Sequence, residues 1–321
     1  MARIGALFLA MLAFFPAKAV APVGSFALEW APTDTKAGFA VRYKGLSSRY
    51  RVNAVSVLPG QRLSIGVAGP GTGFRLRDLE GATAVLSGGS WQWVAPGASG
   101  LYRLLVSRES PPDSIVLNVF VLVPRSRMNG EYLNGYRIGR YPPPWGRAPE
   151  IYQPPAGFIE VTPENQDTPV SPRFRLGQFL CKQAGGYPKY VVLDERLLFK
   201  LEELLDRVNA AGIAASSFHV MSGYRTPYYN HSIGNGRYSR HVWGAAADIF
   251  IDESPADGNM DDLNGDGVVD LRDADVLYRI FDQAAADPSY TYLLGGLGKY
   301  RATRTHGPFV HVDVRGFKAR W

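Results

Sequence analysis

The segment Ser239-Arg240-His241-Val242-Trp243-Gly244-Ala245-Ala246-Ala247-Asp248, answered far downstream by His311-Val312-Asp313, constrains this chain more than any other feature. An imidazole and a carboxylate seven residues apart, joined by a distant second imidazole, supply three ligands. That is the set a catalytic zinc ion takes while keeping its fourth position open. For the three to meet, the fold must bring residue 311 back beside the 241–248 segment. Alternation over Phe309–Val314 suits a strand there: Val310, Val312 and Val314 share one face, His311 and Asp313 the other. Taken singly, each histidine has an ordinary alternative as a surface or hydrogen-bonded core residue.

The 321 residues are enough for two domains, and 46% hydrophobic with 20% charged residues is ordinary for a globular protein. Residues 1–19 differ from the rest. Arg3 precedes an apolar run from Ile4 to Phe15, and Ala17-Lys18-Ala19 is an A-x-A cleavage pattern. The run is too short to span a bilayer, so a cleaved signal peptide, no retained membrane anchor and a periplasmic or secreted product are expected. Cleavage removes Arg3 and Lys18 and no acid, taking the net charge from +6 to +4. A mildly basic product suits an anionic partner or plain solubility, and charge alone does not choose. Cys181 is the single cysteine, so no intramolecular disulfide forms and the residue reads as a small buried apolar group.

Between residues 25 and 125, apolar and aromatic runs recur between Gly and Pro turns: Phe26–Trp30, Phe39–Tyr43, Tyr50–Leu58, Leu63–Val67, Trp91–Val94, Leu101–Val106 and Ile115–Val123. Short strands at this spacing predict an all-β sandwich of immunoglobulin-like type. A proline-dense stretch, 141–156, reads as a stiff extended connector within 126–160. An α+β domain follows over 161–321. Its clearest helix is Glu195–Ala211, with Leu197, Leu198, Leu201, Leu204, Leu205 and Val208 on one stripe, Asp194 as N-cap and Gly212 past the end.

Three segments together resemble one known family: Ser222-Gly223-Tyr224-Arg225, the Ser239–Asp248 stretch and His306-Gly307-Pro308-Phe309-Val310-His311-Val312-Asp313. This is the zinc D-Ala-D-Ala carboxypeptidase and murein endopeptidase family, whose fold is shared with the Hedgehog signalling domain. The likeness covers roughly residues 175–321. It implies His241, Asp248 and His311 as zinc ligands, Arg225 near the substrate, and Ser222, Tyr224 and Ser239 in substrate binding. Arg225 would stabilise a developing oxyanion or grip a carboxylate; its plain alternative is a structural ion pair. Several branches of the family place Glu three residues before the last ligand, where this chain has Pro308. Others place His five residues before it, where this chain has His306. His306 is therefore the favoured base or transition-state donor, with Asp313 orienting a histidine ligand or serving as an alternative base. Tyr228, Tyr229 and Trp243 either line a groove or pack.

The stretch 257–285 carries a second pattern. Asp262, Asn264, Asp266, Asp270 and Asp273 stand at positions 1, 3, 5, 9 and 12 of a calcium loop, with Gly267 at 6 and the Val268 carbonyl at 7. Asp at position 12 is similar to dockerin modules. A structural calcium ion is expected there, against the alternative of an acidic surface turn. Gly295-Gly296-Leu297-Gly298 lacks a following Lys-Ser/Thr and reads as a turn, and no nucleic-acid motif is evident despite a pI near 9.3. The chain thus reads as an exported zinc peptidase acting on peptidoglycan stem peptides or crosslinks. The alternatives are a non-catalytic wall-binding protein and a calcium-dependent adhesion module retaining the fold.

Overall fold

A computed structural model describes residues 34–81, 84–146 and 148–321. The leader expected over 1–19 and the strand expected over Phe26–Trp30 lie outside them. The first half is a run of strands. Lys36–Tyr43 (β1), Leu46–Tyr50 (β2), Arg62–Ala68 (β4), Ala84–Ser87 (β6) and Ser90–Val94 (β7) form one sheet in the order β2-β1-β4-β7-β6. Val52–Val57 (β3), Arg75–Asp78 (β5), Gly100–Arg108 (β8) and Asp113–Val121 (β9) form a second in the order β3-β9-β8-β5. In β1 the period-two pattern is explicit: Ala37, Phe39, Val41 and Tyr43 are buried, while Lys36 and Arg42 are exposed. β9 buries every residue from Ile115 to Val121, because it lies inside its sheet and is covered on both faces. A tight turn at Lys44 and Gly45, both at positive φ, separates β1 from β2, and the run expected over Tyr50–Leu58 divides at Arg51, with Tyr50 ending β2 and Val52 opening β3.

The segment after residue 122 is not a free-standing spacer. Val123–Pro124 (β10), Gly157–Val161 (β13) and Lys189–Val191 (β14) share a small sheet, and Tyr132–Leu133 (β11) and Tyr136–Arg137 (β12) make a hairpin. Val123, Leu133, Tyr136, Ile138, Phe158 and Tyr190 bury against one another. The proline-dense stretch includes a 3-10 turn, Pro149–Tyr152, and is docked rather than free: Tyr141 and Tyr152 pack edge-on against Trp243, and Trp145 stacks on Tyr238 at 5.3 Å. Proline removes backbone donors, so such a segment is held by its side chains and carbonyls rather than by a ladder.

The second half centres on a five-stranded sheet, β15-β16-β18-β17-β19, made from His219–Ser222, Ala246–Phe250, Phe309–Asp313, Gly296–Tyr300 and Ala319–Arg320 respectively. Helices Glu195–Ala210 (α1) and Leu271–Ala284 (α3) pack on each other, and α3 packs on β17 and β18; Pro227–Ser232 (α2) is a single short turn of helix. In α1 the leucine stripe is buried, Asp194 accepts from the Arg196 amide, and Gly212 takes φ +89° just beyond the end. The 257–285 stretch belongs to the core rather than standing apart, since Met260, Ala274, Leu277, Phe281 and Ala284 are all buried.

One buried cluster runs through both halves. Ala54 donates to the Val170 carbonyl at 2.9 Å, the Asn118 amide to the Pro169 carbonyl at 2.8 Å, and Lys36 pairs with Asp206 at 2.7 Å. The β-rich half therefore leans on α1 and on residues 169–174. No helix among the described residues is long and apolar enough to cross a membrane.

Candidate metal centre

Sheet register assembles the site. Ser222 pairs with Asp248, Asp248 with His311, and His311 with Gly298, one row across β15, β16, β18 and β17. Directly paired residues present their side chains on the same face, so the carboxylate of Asp248 and the ring of His311 meet. His241 comes from a 3-10 turn, Arg240–Trp243, that ends on Gly244 in the left-handed region at φ +63°. A Cβ at Gly244 would lie 1.9 Å from the Val192 carbonyl oxygen, so glycine alone fits between this turn and the chain entering α1.

The three side chains are buried and offer ligand atoms within 4.8 Å of one another. His241 Nε2 stands 3.2 Å from Asp248 Oδ1 and 3.2 Å from His311 Nδ1; His311 Nδ1 stands 2.8 Å from the same oxygen. The outer ring nitrogens are spoken for. His241 Nδ1 donates to the Gly223 carbonyl at 2.7 Å, and His311 Nε2 faces Asp313 Oδ2 at 3.3 Å. The bond to Gly223 leaves the inner nitrogen of a neutral His241 ring unprotonated, and both inner nitrogens face one carboxylate oxygen at hydrogen-bond distance. Three electron-rich atoms so placed repel unless a proton or a cation sits among them. Two imidazoles and a carboxylate, each ring oriented from behind by an acceptor, make a donor set that fits zinc.

The three groups are electrostatically coupled. Burial pushes the Asp248 carboxyl up, but His241 and His311 outweigh it and hold the group well below the usual carboxylate range. Burial lowers His241, while for His311 the bonds to Asp248 and Asp313 overcome burial and raise it.

Around the group lies a cleft of about 520 Å³, lined among others by Arg225, Ser239, Arg240, His306, Arg315 and Trp321. It shares Met221, Arg225, Ile233, Thr305 and His306 with a neighbouring lobe of about 680 Å³ that reaches Lys182 and Asn259. His306 thus stands where the two lobes join. Its Nδ1 donates to the Gly307 carbonyl at 2.8 Å, which leaves Nε2 to accept a proton, and its ring lies edge-on to Phe309 at 5.0 Å. Arg225 bonds Asp248 Oδ2 through Nη2 and Ser222 Oγ through Nε at 2.8 Å. It first steadies the carboxylate; its Nη1 has no partner among the described residues. Ser222 lines the second lobe and holds Arg225, and Ser239 lines the metal cleft.

Two expectations change. Tyr224 does not face substrate: it is 1% exposed, and its hydroxyl pairs with that of Tyr141 at 3.0 Å inside the core. Its place in the turn before Arg225 gave no hint of which way the ring would go. Asp313 is not a base, because Arg315, the Gly296 amide and His311 all bind its buried carboxylate; although burial alone would raise it, these partners hold it far below the usual range. It orients His311. Trp243 also packs, its Nε1 donating to the Gln153 carbonyl at 3.0 Å, whereas Tyr229 lines the second lobe and Tyr228 a separate cavity with Arg137.

The calcium pattern is not gathered into a comparable cluster; among the described residues, His241, Asp248 and His311 are the one group of three such side chains within ligand reach. In the loop, Asp262 accepts from the Gly265 and Gly267 amides, Asn264 from Asp266, and Asp266 from Val268. Asp270 and Asp273 cap α3 in a reciprocal box, and Arg272 pairs with Asp266 and Asp270. These oxygens are satisfied internally.

Sequence reasoning missed Arg240, Arg315, Tyr300 and Trp321 as cleft residues. Arg240 lay inside the motif, but its neighbours Ile151 and Tyr152 are about ninety residues away and carry no pattern that links them. No curated protein matches this chain. Residues 187–261 match the family described as Peptidase M15. That stretch carries Arg225, His241 and Asp248 and stops short of His306 and His311, which the sheet register supplies, and the match supports a zinc peptidase of the M15 family in this half of the chain.

Proposed function

We propose that the chain is an exported zinc metallopeptidase that hydrolyses peptidoglycan stem peptides or crosslinks at bonds involving D-amino acids. The carrying observation is the convergence of both inner imidazole nitrogens on one buried carboxylate oxygen, with both outer ring nitrogens already engaged. A zinc ion held by His241, Asp248 and His311 supplies Lewis acidity toward a peptide carbonyl and acidifies water. The remaining work falls to side chains. His306 accepts a proton at Nε2 and returns it to the leaving amine. Arg225, fixed by Ser222 and Asp248, offers Nη1 to negative charge developing on the carbonyl oxygen. Asp313, locked by Arg315, keeps the His311 ring in place.

Within the same reading, residues 36–121 form an immunoglobulin-type sandwich carried beside the hydrolase, and the leader directs the chain to the periplasm or medium. A structural calcium ion in the Asp262–Asp273 loop stands as a proposal on residue spacing alone. The direct test incubates the zinc-loaded protein with purified peptidoglycan and weighs the soluble fragments. Release of stem peptides or single D-residues by the parent, and none by His241→Ala, is expected; an inert parent that holds zinc overturns the hydrolase assignment.

A further inference from the structure

We infer that Arg240 reads a free carboxylate on the ligand, beside the metal centre. The inference rests on the hydrolase reading only for naming that ligand a peptide; the anion site itself stands on geometry. Arg240 immediately precedes His241 and lines the same cleft, yet it is only 3% exposed. Two other guanidiniums line that cleft, and each has a counter-charge: Arg225 bonds Asp248, and Arg315 bonds Asp313. Arg240 has no carboxylate in salt-bridge reach among the described residues. Its Nη1 donates to the Ile151 carbonyl at 2.5 Å, and its buried Nε has no hydrogen-bond partner.

A buried cation without a counter-ion is costly, and a single neutral carbonyl offsets little of it. What the fold supplies instead is position. The guanidinium lies 5.3 Å from the Tyr152 ring and 5.6 Å from the Trp243 ring, and those rings brace one another edge-on at 5.1 Å. Trp243 is tied to the Gln153 carbonyl. The guanidinium is therefore packed in place before any ligand arrives. With Nη1 occupied and Nε enclosed, Nη2 is the donor left to give a carboxylate oxygen a charge-assisted hydrogen bond. Burial lowers the arginine's pKa by more than the charges of Asp313 and Asp194, both beyond salt-bridge reach, raise it.

The source of the carboxylate is either the α-carboxylate of a chain end or an acidic side chain. Three probes separate them: N-acetyl-D-alanine, its amide, and N-acetyl-D-glutamic acid α-amide, each titrated calorimetrically into the zinc-loaded protein, Arg240→Met and Arg240→Lys. The parent should bind at least one acid about tenfold tighter than the alaninamide, the worth of a charge-assisted bond. The preferred acid identifies the source. Arg240→Met should bring acid and amide level while its melting temperature holds or rises, since an uncompensated buried charge has been removed. Arg240→Lys keeps the charge without the fork and should retain part of the preference. The inference fails if the parent does not distinguish acid from amide. It fails equally if Arg240→Met keeps the preference, which would move recognition to the metal or Arg225, or if Arg240→Met unfolds and Arg240→Lys binds like the parent. Peptidoglycan left intact by a parent that still prefers the acid would sink the hydrolase reading and leave the anion site standing.

Discussion

Gly244→Ala tests the packing that delivers His241 to the metal. The residue sits at φ +63°, where an L side chain costs about 1 kcal/mol. Crowding is worse than the backbone angle. The added Cβ would stand 1.9 Å from the Val192 oxygen and 2.3 Å from its carbonyl carbon, far inside the 3.4 Å at which ordinary contact begins. Both neighbours are backbone, so the turn Arg240–Trp243 must move away from the chain entering α1. That movement also strains the bond from the Asp194 amide to the Gly244 carbonyl, 3.0 Å long, which ties the turn to the helix cap. Overpacking and a weakened hydrogen bond bring the expected loss to about 4 kcal/mol, or roughly 10 °C in melting temperature for a protein of this size.

Gly212→Ala is the matched control, since φ is +89° there but nothing lies within 4 Å of the new Cβ. It should lose only the backbone part, about 1 kcal/mol. Thermal melts of the two variants, with zinc content measured on the same samples, decide the matter. Gly244→Ala should melt well below Gly212→Ala and hold less zinc, because His241 shifts with its turn. Equal melting temperatures and full zinc in both would refute the claim that this glycine is required by contact with Val192.

His306→Gln should keep zinc and lose about 10²–10⁴ in turnover on whichever peptide is cut; unchanged turnover removes His306 from proton transfer. Lys200 is a buried cation whose Nζ donates to the Leu293 and Asp313 carbonyls, and burial drops its pKa to about 7. Its folded value lies below its unfolded one, so the unfolded chain binds the extra proton between pH 7 and about 10.5 and stability rises with pH across that window. The stability difference between the parent and Lys200→Met should grow by up to about 1 kcal/mol per pH unit there; parallel profiles in denaturant melts would contradict it. Calcium added to the chelated protein should raise the melting temperature if the Asp262–Asp273 loop takes the ion, as proposed, and no shift at millimolar calcium leaves that loop a self-bonded turn.

Local order determined much of what the sequence disclosed. The leucine stripe after Asp194 needs only helical geometry to be read, and α1 runs one residue short of the expected end. The His241–Asp248 spacing and the alternation around His311 name the metal group, because ligand chemistry depends on residue type and strands alternate by two. Where side chains of the same type ended up was a matter of tertiary contact. Register across β15, β16 and β18 placed Asp248 against His311, and the partners Arg315 and Gly296 turned Asp313 from a candidate base into a prop. Tyr224 went inward because Tyr141, from the proline-dense segment, was there to meet its hydroxyl. The same segment brought Ile151 and Tyr152 to Arg240. Contacts across eighty or more residues leave no period in the chain, so burial and charge compensation at these positions were settled by the folded structure alone.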